Sequence, residues 1–450
     1  MSISLASGIA VDGSKSLEIE LTSPQGGSFD VGGSSTEVIN GTVQIADQVT
    51  ASAASVSTGH AVSFSLHSTD VAAGSTLSYA LSGIAASRVR EAETGTVTLD
   101  ANGNATVTFD LLINNQVNGA TPITLNFYNG STAPLASASA TVTDNFTAAG
   151  AASLSSISTP IAILDSAANV GTTIDSLQSL AASNKIASIT LTDGAIPSLT
   201  ITAQQAANDG AALADISGYF SVQETVSSTT TSAAGVAAAT GNTAVLSGTA
   251  SQYSVASAGD GINFTLSGNG GTVHMSGMQA LKFSDVTLIV AHTPGGLTTA
   301  TTGNIAELYS AVFAREPDVP GLAYYQKQLQ ANPTIPVTVF ATDFLQSPEY
   351  TGNSAHNYAQ NTQGDTQFIT DTYSNLLHRA PENGAVGYYL NTVIAPFLNG
   401  VAAGTAAYTA AELAAHATVL FDFSASQEFL GNVQVTSANP ASAAHWLLLI

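Results

Sequence analysis

A set of side chains suited to holding sugar hydroxyls occurs near the C-terminus. Tyr309 is followed six positions later by Arg315, then by Asp318 and the adjacent pair Tyr324 and Tyr325. Arginine and carboxylate groups give directional hydrogen bonds to hydroxyls, and a tyrosine ring gives an apolar face for a sugar ring to stack on. The pattern predicts a glycan-binding site formed by Arg315, Asp318 and Tyr325.

The same pattern returns further along the chain, with Arg379, Glu382 and Tyr389 as the matching candidates for glycan binding. Each copy is followed by a shared tail, 344–350 in the first and 423–429 in the second. The second copy carries additional residues between its motif and its tail. So many matched positions in the same order indicate a duplicated module.

A purely structural interpretation of the same residues stays open. Arg315 would end a helix, where a cation interacts favourably with the helix dipole and the last carbonyls. Asp318 would pair with it and cap the next helix. Tyr309, Tyr324 and Phe344 would then be core residues.

The elements that carry these side chains are predicted to be helices. From Asn304 onward, apolar residues fall at positions i, i+3, i+4, i+7 and i+8, which is one face of an α-helix. Side chains able to accept hydrogen bonds from free backbone N–H groups mark the helix starts. The predicted caps are Asn304, Ser347 before Pro348, Asp365, Thr409 with Glu412, and Ser424 with Gln427.

Upstream of the helices, period-two alternation such as that of residues 61–66 predicts β-strands. Residues 174–186 have helical spacing, and 148–156 are a small-residue linker. The predicted fold class is multidomain: a β-sandwich or β-rich N-terminal part, a small α+β module and an all-α duplicated C-terminal module. The predicted boundaries are 1–50 for an N-terminal β segment, 51–147 for an immunoglobulin-like β-sandwich, 157–224 for the α+β module, 225–295 for a β-rich segment, and 303–450 for the helical module with copies 304–352 and 365–432.

The amino-acid composition excludes some classes of function and favours others. There are 31 acidic residues against 8 Lys plus Arg, a formal charge of −23, and no cysteine. So few Lys and Arg side chains argue against nucleic-acid binding, because phosphate groups are bound by clustered basic residues. The absence of cysteine excludes metal sites with thiolate ligands. The carboxylates predict binding of Ca²⁺, although they also serve simply to keep an exported protein soluble.

No pattern in the chain indicates catalysis. The eight histidines include no His-x-x-x-His spacing, and neither a Gly-x-Ser-x-Gly elbow nor a phosphate-binding loop occurs. We therefore expect a non-enzymatic protein. No apolar run reaches the length of about 18 residues that a membrane span needs, so no span is expected.

The apolar residues Trp446, Leu447, Leu448, Leu449 and Ile450 have two interpretations. They form either a last strand or helix end within the core, or a C-terminal signal of the kind read by type I secretion ABC transporters, which such tails resemble.

The duplicated motif, with its Ser-Pro-Glu-Tyr tail, resembles a helical domain family of unassigned function found in bacterial type I secreted surface proteins, including S-layer-like proteins and adhesins. Residues 138–145 are similar to the last strand of immunoglobulin-like repeats in such proteins, which implies Asp144 as a Ca²⁺ ligand; a turn-capping role is the alternative. The resemblance implies a secreted protein at the cell surface of a Gram-negative bacterium. Its expected partners are copies of itself, cell-surface polysaccharide and the type I secretion ABC transporter. The first hypothesis for the function is a surface-layer or surface-array structural protein, stabilised by Ca²⁺ and attached to cell-surface glycan. An adhesin or biofilm-matrix glycan-binding protein is the second hypothesis, and a secreted hydrolase is the third.

Overall fold

The computed structural model of the chain describes residues 15–20, 38–43, 48–69, 71–268, 271–293, 295, 299–436, 440–442 and 444–450. The chain divides into two compact units, Met1–Leu164 and Asp165–Ile450. Of the predicted N-terminal β segment, two strands are described, β1 (Lys15–Glu20) and β2 (Val38–Val43), and they pair antiparallel. The rest of residues 1–47 lies outside the described part of the chain.

The first unit contains two sheets that share one core. One sheet has the order β3-β5-β8 and the other the order β4-β10-β9-β6-β7. The strands are β3 (Gln48–Ala51), β4 (Ser55–Ser57), β5 (Ala61–His67), β6 (Thr76–Ser82), β7 (Thr94–Thr98), β8 (Asn104–Asp110), β9 (Thr121–Tyr128) and β10 (Ala136–Thr143). All neighbours are antiparallel except β4 and β10, which run parallel.

Alternating side chains build this sandwich core. Val62, Phe64 and Leu66 of β5 are buried. The residues between them are serines, whose side chains point away from the core. The Phe109 ring of β8 meets the Tyr79 ring of the other sheet edge to face, with centroids 6.0 Å apart. Period-two burial of this kind is what the sequence alternation predicted.

The segment expected to be a linker contains a short helix. Strand β11 (Asn145–Phe146) is followed by α1 (Ala148–Ala152) and by β12 (Ile161–Asp165), and β11 pairs parallel with β12. Thr147 accepts a hydrogen bond from the Gly150 amide at the start of α1. The small-residue linker predicted over 148–156 therefore begins with a helix, because alanine favours a helix once a cap is present.

The second unit begins with an α/β segment. Its elements are α2 (Ala167–Ala182), β13 (Ile186–Leu191), β14 (Ser198–Thr202), α3 (Ala203–Asn208), α4 (Gly210–Ala214), β15 (Ile216–Ser217), β16 (Ser221–Val226), β17 (Ser232–Ala234), β18 (Gly241–Leu246), β19 (Tyr253–Ser257), β20 (Asn263–Gly268), β21 (Gly271–Ser276), β22 (Ala280–Lys282) and β23 (Thr287–Ala291). Thr202 caps α3 in a capping box with Gln205.

A six-stranded sheet, β14-β16-β18-β22-β23-β24, joins this segment to the end of the chain. Strands β14, β16, β18 and β22 are parallel neighbours, β23 is antiparallel to β22, and β24 (Leu447–Leu449) is parallel to β23. A second sheet has the order β17-β21-β20-β19. Because β16 pairs with β18, the sheet continues across the predicted division at 224–225.

The C-terminal region is helical. Its helices are α5 (Thr302–Phe313), α6 (Val319–Ala331), α7 (Val337–Gln346), α8 (Pro348–Thr351), α9 (Thr362–Leu377), α10 (Ala385–Tyr388), α11 (Ala395–Leu398), α12 (Ala406–Ser424) and α13 (Gln427–Val433), with a π-helical stretch over Tyr389–Ile394. The helices of both copies contribute to one hydrophobic core, which also includes Ala280, Ile289 and Trp446 of the β region.

The predicted fold class is confirmed: the chain is strand-rich as far as β23, and helices follow from Thr302. Within the described part of the chain, no helix combines the length and apolar character that crossing a bilayer requires.

Candidate functional site

Helix α5 ends at a left-handed residue, Ala314, with φ of +53°. The backbone turns there and places Arg315 beside the start of α8. Arg315 Nε lies 2.8 Å from Glu349 Oε1 and Nη2 lies 3.0 Å from Glu349 Oε2, which is a bidentate ion pair. Nη1 donates to the Asp318 carboxylate at 3.3 Å and to the Glu316 carbonyl at 3.1 Å.

The second copy repeats this arrangement. His378, with φ of +52°, ends α9 in the left-handed conformation and precedes Arg379. Arg379 binds Glu428 through Nε at 2.6 Å and Nη2 at 2.8 Å, and Nη1 lies 2.6 Å from Glu382. The Ala380 carbonyl takes the place of the Glu316 carbonyl. We call each arrangement of one arginine and two carboxylates a corner: Arg315 with Asp318 and Glu349, and Arg379 with Glu382 and Glu428.

The arginines are held on a further side by aromatic rings. The guanidinium carbons of Arg315 and Arg379 each lie 5.0 Å from the ring centroids of Tyr309 and Tyr373 respectively. Hydrogen bonding to Glu428 and then to Glu382 raises the pKa of Arg379, and the guanidinium in turn lowers the pKa of both carboxyl groups. The guanidinium hydrogen bonds are thus largely taken up by the protein itself.

Glu349 and Glu428 are the members of the corners that the sequence interpretation did not assign. Both lie in the shared tail, so the duplication contained the signal, but the spacing alone did not show that each glutamate reaches back to the arginine. The carboxylates of both corners are about half exposed. One guanidinium against two carboxylates leaves each corner with a net negative charge and oxygens facing solvent.

Asp318 also caps α6. Its Oδ1 accepts a hydrogen bond from the Gly321 amide at 2.7 Å, as the structural interpretation predicted. A side chain at Gly321 would collide with the Tyr309 hydroxyl, which lies against the position a Cβ would take. The glycine of the motif is therefore explained by close packing, whereas the second copy has Ala385 there, buried in the core.

The tyrosine pairs are arranged differently from the prediction. Tyr325 packs edge to face on Phe340 and against Phe344, with centroids 5.4 and 5.1 Å away, and Tyr389 stacks on Phe423 at 5.0 Å. Burial raises the pKa of the Tyr325 hydroxyl to about 12. Both rings are half-buried parts of the helical core.

The first tyrosine of each pair faces solvent instead. Tyr324 is 58% exposed and Tyr388 is 54% exposed. The expectation that Tyr324 is a core residue is wrong, because adjacent positions on a helix point about 100° apart and the second ring takes the inward side. Sugar stacking by Tyr325 and Tyr389 stays a prediction, but the solvent-exposed rings of the two pairs are those of Tyr324 and Tyr388.

Asp144 lies at the end of β10, where the sequence interpretation placed it. Its carboxylate accepts hydrogen bonds from Arg88 Nη2 at 2.6 Å, from the Asn118 amide at 2.6 Å and side chain at 3.1 Å, and from the Gly119 amide at 2.9 Å. Arg88 is only 6% exposed. This buried ion pair accounts for Asp144 without a cation, and a Ca²⁺ role for it stays a prediction.

The apolar residues Trp446–Ile450 belong to the core of the second unit. Leu447 pairs with Ile289 of β23 and is fully buried, and Trp446 is 5% exposed. The strand interpretation of this segment is therefore confirmed. Its interpretation as a secretion signal is not tested by this placement.

One group of side chains in the described residues is able to hold a metal ion: Asp365, Glu412 and His416. His416 Nε2 lies 2.8 Å from Asp365 Oδ1. The sequence interpretation placed helix caps at Asn304, at Asp365, at Thr409 with Glu412 and at Ser424 with Gln427, and these assignments are wrong. Thr301 caps α5 and Ser426 caps α13. The caps are Asn361 for α9 and Thr405 for α12, so Asp365 and Glu412 lie inside their helices.

No protein-family profile matches this chain, and the curated proteins contain no significant match to it.

Proposed function

We propose that this chain is an extracellular structural protein of a bacterial surface layer, exported by type I secretion and attached to cell-surface glycan through its two corners. The observation that carries the proposal is that both helical copies repeat a half-exposed acidic corner and, six positions after its Asp318 or Glu382, an exposed tyrosine, Tyr324 or Tyr388. Two equivalent sites on one chain suit a repetitive polymer, because the second contact forms at high effective concentration once the first is made.

The chemistry of the corners fits a sugar. The exposed carboxylate oxygens accept hydrogen bonds from hydroxyl groups, and the exposed tyrosine face offers stacking area. The net negative charge of each corner favours a neutral or cationic sugar over an acidic one. The arginines act through the carboxylates, which they hold in place by bidentate pairing.

The acidic composition supports an assembly that depends on divalent cations. With a formal charge of −23, neighbouring copies repel one another unless cations screen or bridge their carboxylates. Ca²⁺ is the cation proposed, since it accepts flexible sets of carboxylate oxygens. The localisation at the surface of a Gram-negative cell and the export route rest on the resemblance of the duplicated motif.

The glycan part is tested with the variant Tyr324→Ala combined with Tyr388→Ala. We expect it to lose co-sedimentation with isolated cell-surface polysaccharide, whereas Tyr219→Ala, an exposed tyrosine away from the corners, keeps it. Tryptophan fluorescence of Trp446 checks that the helical core is intact. Undiminished binding by the double variant would sink the glycan assignment.

The same corners also fit a second function, a soluble adhesin or biofilm-matrix protein, because glycan binding by exposed side chains needs no contact between copies. Electron microscopy distinguishes the two. A surface-layer protein forms ordered sheets on addition of Ca²⁺ and disperses with chelator, while an adhesin binds polysaccharide and stays monomeric under both conditions.

A further inference from the structure

Asp365, Glu412 and His416 bring one imidazole nitrogen and two carboxylate oxygens to one place in the second helical copy. One ligand atom from each side chain lies within 4.8 Å of the other two. Glu412 and His416 are four residues apart on α12 and so project from the same face of that helix, while Asp365 comes from the first turns of α9. The sequence search for His-x-x-x-His missed this Glu-x-x-x-His spacing.

The three side chains are almost completely removed from solvent. Asp365 is 3% exposed, Glu412 8% and His416 9%. Glu412 Oε1 is buried and has no hydrogen-bond partner among the described residues. A buried carboxylate oxygen without a partner is unfavourable unless a proton or a cation satisfies it.

The imidazole is fixed in orientation. Its ring lies flat on Phe368, with centroids 3.9 Å apart and planes 11° from parallel. Its Nε2 points at Asp365. A side chain held on two sides in this way loses little freedom on binding an ion, which favours tight binding.

We propose that Asp365, Glu412 and His416 form a binding site for one divalent first-row transition-metal ion, with Zn²⁺ the cation that best matches the donors. Zn²⁺ binds imidazole nitrogen and carboxylate oxygen at about 2.0–2.2 Å and is satisfied by three protein ligands and one water. Ca²⁺ matches poorly, because it takes six to eight oxygens and the site offers one nitrogen and two carboxylates. Inserting the ion replaces the Asp365–His416 hydrogen bond with two bonds to the metal.

A route to the site is present. Asp365 lines a surface cavity together with Thr362, Leu390 and Asn391. An ion would reach the three ligands from that side, past the Asp365 carboxylate, and water would take the fourth coordination position.

The first copy of the module shows that the helical fold does not require these ligands. When the motifs and the tails of the two copies are aligned, Thr301 corresponds to Asp365, Pro333 to Glu412 and Val337 to His416. None of the three is a metal ligand of the same kind, and Thr301 is instead the cap of α5. The site is thus a feature of the second copy, separate from the corners that both copies share.

The test is calorimetric titration of the full chain, freed of metal by chelator, with Zn²⁺. We expect one ion per chain, binding weakened about 100-fold in Glu412→Gln and in Asp365→Asn, and unchanged binding in His274→Ala, an exposed histidine of β21. Glutamine and asparagine keep the shape of the side chains they replace, and Trp446 fluorescence confirms that the variants are folded.

A second measurement needs no variant. Co²⁺ bound by this donor set gives visible d–d absorption, which one equivalent of Zn²⁺ removes and an equal amount of Ca²⁺ leaves. The proposal is overturned if the wild-type chain binds neither Zn²⁺ nor Co²⁺ at one ion per chain, or if binding survives both Glu412→Gln and Asp365→Asn. Because glycan binding is measured separately, either result leaves the corners unaffected.

Discussion

Arg315 and Glu349 connect the end of α5 to the start of α8 by two parallel hydrogen bonds of 2.8 and 3.0 Å. Arg379 and Glu428 form the same pair between α9 and α13. The contact is maintained although the second copy has a longer segment between its arginine and its glutamate than the first. It joins helices that are distant in sequence, and it orients the carboxylates on which the proposed glycan site depends.

The variant Arg315→Lys is expected to weaken this connection modestly. Lysine keeps the charge but cannot form the planar two-point contact with Glu349. Because the pair is partly exposed, we expect a coupling of about 0.5–1 kcal/mol between Arg315→Lys and Glu349→Gln in a double-mutant cycle. Urea denaturation of the four variants of the cycle, monitored by Trp446 fluorescence, measures this coupling energy. A coupling of zero would mean that the Arg315–Glu349 pair contributes nothing to the free energy of unfolding.

Truncation of the two tyrosines of the first pair should change the free energy of unfolding by very different amounts. Tyr325→Ala removes a ring that touches Phe340 and Phe344, and we expect it to lower the free energy of unfolding by about 2–3 kcal/mol. Tyr324→Ala, at a ring 58% exposed, should change stability by less than about 0.5 kcal/mol. The same fluorescence-detected denaturation serves both variants. Equal losses would contradict the assignment of Tyr325 to the core and Tyr324 to the surface.

Local patterns in the sequence predicted much of the fold. The apolar period from residue 304 onward matches α5, and Ser347 caps α8 ahead of Pro348. These features depend on neighbours within one or two turns of the chain. They are therefore recorded in the spacing of a few residues.

The features that the sequence did not predict depend on contacts between distant segments. Asp365 and Thr409 looked like caps because Ser, Thr, Asn and Asp are frequent throughout this chain, so that several positions near each helix start are able to cap it. In the structure, Asn361 caps α9 and Thr405 caps α12. The approach of Asp365 to His416, in a helix far along the chain, follows only from the packing of α9 on α12.

Asp144 should stabilise the first unit through Arg88 and not through a cation. Asp144→Ala leaves the buried guanidinium of Arg88 without its partner, and breaking such a pair costs about 3 kcal/mol or more. Since four N–H donors already occupy the carboxylate, we expect the loss measured by calorimetry to be the same in Ca²⁺ and in chelator. The Trp446 transition of the second unit should not move. A loss seen only in Ca²⁺ would restore Asp144 as a Ca²⁺ ligand.

Glu307 of α5 should make the second unit less stable as pH rises. Its side chain is fully buried, neither carboxylate oxygen has a partner among the described residues, and burial raises its pKa to about 9. Between the ordinary pKa of about 4.5 and the folded value, the folded state keeps a proton that the unfolded state releases. The unfolded state therefore binds fewer protons, and the free energy of unfolding falls by at most about 1.4 kcal/mol per pH unit in that window.

Glu307→Gln removes this dependence while keeping the size of the side chain. Below pH 4.5 the wild-type contribution is fully present, and it is lost as the pH rises toward 9. Relative to wild type, we expect the variant to gain about 2–4 kcal/mol in stability between pH 5 and pH 8, measured by urea denaturation with Trp446 fluorescence. Subtracting the two curves cancels the effect of every other titrating group, including Glu224, whose pKa burial raises to about 8. A difference that stays constant with pH would show that Glu307 is ionised in the folded protein, and a cation or water would then have to satisfy it.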